Sequence, residues 1–327
     1  MASNRQARRA LVFGANGQDG SYLCESLMRS GLLVTGIGRQ ACFREQGSQP
    51  IDRYLQVDLN NLSEVKNVLH QEKPDYIYHT AAVHGASGFN YEEVWESAHR
   101  VNTLSAHACL EYIRHKSSKT SFIYLSSSKV FDESQIGTIS EKTARKSTCI
   151  YSITKNSTGD LVDYYRKKHA INAGVIWLFN HDSPRRSKEY FIPKLAEILI
   201  RSLEDDKYIG EVGSLDFWCD WGSAQEYMDL VSKVGLLPEI QDYVLATGHT
   251  ISGRALANEL FSRFNLSYEK HIKSRVQSEL HQLPPWVVDN SQIGEALSNK
   301  PRMTALDVCL DIINRSMSEV QVVSFKK

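Results

Sequence analysis

Three glycines spaced three apart, Gly14, Gly17 and Gly20, follow directly on the apolar run Ala10 to Phe13 and open a pattern that sets Leu23, Leu27 and Met28 on one helical face. A strand, a tight glycine turn and a helix, in that order, leave few folds open. Glycine removes the Cβ where the backbone must turn and where another group must come close. The helix N-terminus behind it offers unpaired N–H groups to negative charge. The expected occupant is the pyrophosphate of a dinucleotide, met by Gly14, Asn16, Gly17, Gln18, Asp19 and Gly20. A lone glycine triplet also fits a purely structural turn, so the rest of the chain has to decide.

The downstream order of elements continues the pattern. Leu32 to Ile37 reads as a second strand, Tyr54 to Leu59 as a third, Asn61 to His70 as a helix and Tyr76 to Thr80 as a fourth strand. A helical pattern from about Tyr91 to His115 then precedes a fifth strand, Ser121 to Leu125. This alternation predicts an α/β fold built on a doubly wound parallel sheet. The end of the second strand is where such folds separate NAD from NADP, an acidic side chain holding the ribose 2′-hydroxyl and an arginine suiting a 2′-phosphate. Arg39 stands there, with Arg44 close behind and no acid before Glu45. NADP is therefore the expected cofactor, with NAD as the alternative. Asp58, with Leu59 beside it, is placed to meet the adenine edge, and Ala81 and Ala82 are small where the backbone must pass the cofactor. His84 and Gly85 begin a loop that can border the nicotinamide side.

Composition narrows the partners. Lysine plus arginine equals aspartate plus glutamate at 38 each, so no net field draws the chain to nucleic acid or an anionic membrane. No apolar run is long enough to span a bilayer, and the arginines of the first nine residues are not followed by a secretory core. Six scattered cysteines without a C-x-x-C spacing read as reduced packing residues of a cytoplasmic protein, and no metal site is expected.

The chemistry is carried further on. The fifth strand runs into Ser126-Ser127-Ser128-Lys129, and Tyr151-Ser152-Ile153-Thr154-Lys155 opens a helix reaching about His169. Positions i and i+4 share a helix face, and an ammonium beside a phenol favours the phenolate, so Lys155 is expected to lower the Tyr151 pKa. Such a tyrosine can take the proton of a sugar hydroxyl while hydride leaves the same carbon, and Ser127 can hydrogen-bond the reacting oxygen.

With these residues in view the chain resembles an extended short-chain dehydrogenase/reductase, and within that group the GDP-mannose 4,6-dehydratase family. The likeness covers most of the chain. It includes Gly17 to Leu23, the Tyr151/Lys155 pair, Leu178-Phe179-Asn180-His181-Asp182-Ser183-Pro184-Arg185-Arg186, Asp220-Trp221-Gly222 with Glu226-Tyr227, and Val244 to Gly248 with Arg254 downstream. The resemblance implies a Rossmann domain over residues 1–182 and 219–250 and a smaller nucleotide-sugar-binding domain over 183–218 and 251–327. It implies a homodimer or homotetramer, a nucleotide-sugar substrate contacted by His84, Ser127 and Asn180, and a diphosphate that Arg185, Arg186, Lys194 and Arg254 could hold. Asp289 to Pro301 is similar to the helix that closes such substrate domains.

The chain departs from that family at Lys129, where the dehydratases carry the glutamate that removes the C5 proton and helps expel the C6 hydroxyl. A lysine there is similar to CDP-tyvelose 2-epimerases, which oxidise and re-reduce a sugar without losing water. Cys219 replaces the arginine that usually precedes Asp-Trp-Gly, and Leu283-Pro284 stands for an Arg-Pro pair. Three outcomes stay open: a C4-oxidising 4,6-dehydratase, an epimerase or oxidoreductase without dehydration, and a non-catalytic NADP-binding Rossmann protein.

Overall fold

The computed structural model describes residues 7–43, 51–86, 88–132, 137–275 and 285–324; Arg44, Glu45 and Leu283-Pro284 lie outside them. The chain opens with β1 (Arg9–Phe13), α1 (Gln18–Arg29), β2 (Leu33–Gly38), β3 (Arg53–Gln56), α2 (Leu62–Glu72) and β4 (Tyr76–His79). It continues with α3 (Trp95–His99), α4 (Ser105–Lys116), β5 (Ser121–Ser127), β6 (Thr138–Ile139), α5 (Ile150–His169), β7 (Ala173–Leu178) and β8 (Asn180–Asp182). Then come α6 (Phe191–Glu204), β9 (Gly210–Val212), β10 (Trp218–Ser223), α7 (Ala224–Val234), β11 (Tyr243–Leu245) and β12 (Thr250–Ser252). The last elements are α8 (Gly253–Ser262), α9 (Tyr268–His271), β13 (Ile272–Ser274), β14 (Val287–Val288), α10 (Ser291–Leu297) and α11 (Ala305–Ser324).

Among the described residues a seven-stranded sheet runs in the order β11-β7-β5-β4-β1-β2-β3, every pairing parallel. The central strands are short apolar runs because helices cover both faces: β5 is buried from Ser121 to Ser126 and β7 along its whole length. Leu11, Phe13, Phe122 and Tyr124 point into one layer, and Val12, Ile123 and Leu125 into the other, the alternation that strand geometry imposes. Strand order reverses where β1 lies between β2 and β4, which leaves a crevice at their C-terminal ends. A third core is built from α6, α8 and α11 with Val212, Leu215 and Trp221. Small sheets β12-β10-β8 and β13-β9 flank it.

Several expectations are corrected. The third strand stops at Gln56 rather than Leu59, because the Asp58 carboxylate accepts the Asn60 N–H and turns the chain into α2. The fifth strand is longer than expected and carries Ser127 within it. The single helix expected over 91–115 is a 3₁₀ turn at Glu92–Val94, then α3, a π-helical turn at Arg100–Leu104, and α4. Within residues 287–297, β14 pairs with β6, and Ile293 of α10 is buried in one core with residues of α7 and β11.

Candidate active site

The glycine turn shows what the spacing requires. Gly14 adopts φ +85°, and a Cβ there would lie 2.7 Å from the Ala81 nitrogen, so the turn rests directly on the end of β4. A Cβ on Gly20 would lie 2.1 Å from the Gly14 carbonyl oxygen, which lets α1 press against the turn. Gly17 is exposed, donates its N–H to the Gly14 carbonyl at 2.9 Å, and hands over to α1 at Gln18. The first N–H groups of α1 thus open onto the crevice between β1 and β4, a cradle that fits a dinucleotide pyrophosphate.

The side chains of this turn do other work than the backbone. The Asn16 amide donates to the Gln40 side chain, the Cys42 carbonyl and the Tyr54 hydroxyl at 2.9–3.1 Å, tying the turn to the segment behind β2. The Gln18 amide donates to Asp19 and to the His181 carbonyl, and its oxygen accepts the Ser183 hydroxyl at 2.9 Å. Asp19 pairs with His181 Nε2 at 2.9 Å. Burial raises the Asp19 pKa, but the His181 charge and hydrogen bond outweigh it and hold the carboxylate well below its usual range. For His181 burial acts downward, and Asp19 raises it above the ordinary imidazole value. Arg39 is exposed just past β2, where its carbonyl accepts from Gln56. The Leu59 side chain turns into the core, and Asp58 serves the α2 turn; Ala81 is buried against Gly14, while Ala82 is exposed.

Tyr151, Lys155 and Ser127 come together. Helix α5 starts at Ile150 because the Ser152 hydroxyl accepts the N–H groups of Thr148 and Cys149, a cap that sets Tyr151 in the first turn. The Lys155 ammonium donates to the Leu125 carbonyl at 2.7 Å and lies 4.7 Å from the Tyr124 ring centroid and 5.6 Å from that of Tyr151. Ser127, at the end of β5, lies beside Tyr151, and its hydroxyl oxygen accepts the Lys129 N–H at 3.2 Å. The expected lowering of the Tyr151 pKa is overturned: burial, reinforced by the neighbouring Tyr91, raises it, and Ser127 draws it only part of the way back. Burial instead pulls Lys155 down to about 7, opposed by the Asp19 charge. Lys129 is exposed on a 3₁₀ turn after β5 whose other two residues, Ser128 and Val130, are buried.

Asn102, which the sequence reading did not single out, holds this group. Its side chain accepts the Val83 N–H at 2.7 Å and donates to Thr154 at 3.0 Å, while its carbonyl accepts the hydroxyls of Tyr124 and Thr158 at 2.9 Å. It sits in the π-helical turn, where the backbone ladder is widened and a carbonyl is released for such contacts. A polar residue among Val101, Ala106 and Cys109 was the available signal.

At the rim, His84 Nδ1 lies 2.7 Å from the Tyr91 hydroxyl, and its ring is 4.8 Å from Tyr151 and 6.0 Å from Tyr190. Enclosure by these rings, with Arg186 and Lys155 positive nearby, lowers its pKa to about 3, although part of the residue still reaches solvent. Arg186 stacks over Tyr190 at 3.6 Å and pairs with Asp182, whose pKa burial raises to about 6 against that partner. Arg185 is turned the other way: it pairs with Glu25, donates to Ser21 and stacks on Tyr22, so it braces α1. Asn180 is exposed at the start of β8, and Lys194 is half-buried in the first turn of α6. Arg254, at the start of α8, is ion-paired with the buried carboxylate of Asp216. Among the described residues, Arg39, Asn180, Lys194 and Arg254 make no hydrogen bond or ion pair with Tyr151, Ser127 or Lys155.

Solved structures of the same shape set the fold among Rossmann epimerases and dehydratases. The UDP-glucose 4-epimerase of Thermotoga maritima, solved with UDP-glucose, superposes with a TM-score of 0.78 at 15% identity over 95% of this chain and 99% of that one. The dTDP-glucose 4,6-dehydratase of Bacillus anthracis, solved with NAD, gives 0.77 at 14% identity over 95% and 97%. The chain belongs to the GDP-mannose 4,6 dehydratase family, whose profile matches residues 11–293. It is 29% identical to GDP-mannose 4,6 dehydratase 2 of Caenorhabditis elegans over 79% of this chain and 71% of that protein. It is 28% identical to the GDP-mannose 4,6-dehydratase of Sinorhizobium fredii over 80% and 77%. No helix among the described residues is long and apolar enough to cross a membrane, and no group of three metal-ligating side chains occurs among them.

Proposed function

We propose that the chain is an NADP-dependent enzyme that oxidises a nucleotide-activated hexose at C4. The observation that carries this reading is the convergence of Tyr151, Ser127 and Lys155 from α5 and β5 at the crevice that the glycine turn also borders. A nicotinamide dinucleotide, when bound, supplies a hydride acceptor. In its phenolate form Tyr151 takes the C4 hydroxyl proton, Ser127 hydrogen-bonds the same oxygen, and Lys155 in its charged form stabilises that phenolate. Arg39, exposed beyond β2, supports the phosphorylated cofactor.

The fate of the 4-keto sugar turns on position 129. An exposed lysine provides no carboxylate base where the family's dehydration needs one. The reading that fits this residue is return of hydride after epimerisation, or simple oxidation and reduction, without loss of water. The second reading, 4,6-dehydration, is favoured by the family match across residues 11–293.

Mass spectrometry after incubation with GDP-, CDP- and UDP-hexoses and NADP decides between them. Unchanged mass with a changed NMR spectrum supports epimerisation, and loss of one water overturns the reading based on Lys129. Bound cofactor with no sugar altered would return the chain to a non-catalytic NADP-binding role. A Lys129→Glu variant is expected to gain water loss.

A further inference from the structure

We propose that His181 is an imidazolium at neutral pH, and that it neutralises Asp19 in the first turn of α1 and so readies that turn for the pyrophosphate of a dinucleotide. The second half rests on the cofactor reading above. Both ring nitrogens face oxygens that only accept: Nδ1 lies 2.7 Å from the Phe179 carbonyl, and Nε2 lies 2.9 Å from Oδ1 of Asp19. A carbonyl has no proton to give, so Nδ1 carries one. An ionised carboxylate has none either, so Nε2 carries the second and the ring is a cation. The one other arrangement moves that proton onto Asp19 Oδ1. The same oxygen already accepts the Gln18 amide at 3.1 Å, and the Arg186 charge further favours the carboxylate.

Asp19 is the second residue of α1, whose first N–H groups open onto the crevice. A bare carboxylate there would repel a pyrophosphate bound to those groups, and the His181 charge offsets it. The two side chains are only 12% and 22% exposed, so water screens neither fully. Other groups face the pair from each neighbouring segment. Arg186, ahead of α6, is positive and opposes a cation at His181; Asp182 beside it senses both partners; Tyr227 of α7 lays a neutral ring 5.2 Å from that of His181. Lys155, Tyr151, Tyr190 and His84 feel the Asp19 charge from across the crevice. Two further bonds run beside the ion pair. The Gln18 amide donates to the His181 carbonyl at 3.3 Å, and the Ser183 hydroxyl donates to the Gln18 oxygen at 2.9 Å, so the turn is pinned to β8. His181 acts through Asp19 and is a positioning residue.

Nitrogen NMR of the histidine-labelled protein without ligand, with His181 assigned from His181→Phe, reads the charge directly. Two protonated ring nitrogens at neutral pH, titrating above the ordinary imidazole range, are expected; a neutral ring there overturns the first half. Asp19→Asn, which keeps the shape of the contact and gives a second route to the assignment, is expected to leave a neutral ring with Nε2 as acceptor. An imidazolium that persists in Asp19→Asn overturns the pairing. Fluorescence titration with NADP and with NAD tests the second half. His181→Phe, which leaves Asp19 bare, is expected to weaken both cofactors by about 10–100-fold. Asp19→Asn/His181→Phe is expected to recover most of that loss, and Asp19→Asn alone to bind both close to wild type. Unchanged binding in His181→Phe, or a loss as large in either variant that lacks the Asp19 charge, overturns the neutralising role. A wild type that binds neither cofactor would sink the cofactor reading and leave the charged His181 standing.

Discussion

The ammonium of Lys155 is fully buried and donates to the Leu125 carbonyl at 2.7 Å. Burial brings its pKa down to about 7 in the fold, against about 10.4 in an unfolded chain. The fold therefore favours the neutral amine, and unfolding takes up a proton between these two values. Stability rises with pH from about 7 to about 10 and loses that contribution as pH falls through about 7. Lys155→Met removes the titration. Urea denaturation is expected to show wild type gaining on the variant by an amount on the order of a few kcal/mol over this window. A constant difference between the two proteins would mean that Lys155 does not titrate there. The same variant is expected to lose roughly 10²–10⁴-fold in the rate of sugar conversion.

Arg185 and Glu25 form an ion pair with both side chains nearly buried, 11% and 12% exposed. Removing one partner leaves the other charge without compensation, which costs about 3–5 kcal/mol. Glu25→Ala is accordingly expected to lower stability by that order, and an Arg185→Met/Glu25→Leu pair to recover most of it. The measurement is equilibrium unfolding of the three proteins. If Arg185 instead held substrate phosphate, Arg185→Met would raise KM for a nucleotide sugar while barely changing stability.

How far the chain could be read from its residues differs by scale. Strand-helix alternation and the glycine spacing need only local signals, and the sheet and the Gly14–Ala81 contact follow from them. The Tyr151/Lys155 pair was legible for the same reason, since four residues on a helix fix their relative place. What surrounds that pair was not. The raised Tyr151 pKa comes from burial and from Tyr91, sixty residues away in the chain, and neither is visible in a Y-x-x-x-K spacing. The two adjacent arginines, Arg185 and Arg186, look alike in sequence, yet one turns to Glu25 and the other to Tyr190. Asn102 lay hidden because a π-helical turn breaks the period by which a helix is recognised.

Arg39 stands exposed one residue beyond β2. A charge-assisted contact to a 2′-phosphate is worth about 1.5–3 kcal/mol, so Arg39→Ala is expected to weaken NADP binding by about 10–100-fold and leave NAD binding within about twofold. Fluorescence titration with the two cofactors measures both. Equal weakening of both would remove Arg39 from the 2′-phosphate and assign it to the turn itself.

Gly20 and Gly17 separate packing from approach within the one turn. A Cβ on Gly20 would meet the Gly14 carbonyl oxygen at 2.1 Å, with backbone on every near side, so α1 would have to move away from the turn. At Gly17 the nearest heavy atom is that same oxygen at 3.2 Å, which demands only a small shift. Gly20→Ala is therefore expected to cost about 1–3 kcal/mol in stability, the range for overfilling a packed site, and to weaken cofactor binding with it. Gly17→Ala should leave stability within about 1 kcal/mol, since it adds a methyl to an exposed position. Its added methyl stands where the pyrophosphate must approach, so its effect should fall on cofactor affinity. Thermal unfolding with and without NADP distinguishes the two. A Gly17→Ala variant that binds NADP as tightly as wild type would show that the phosphate does not sit on this face of the turn.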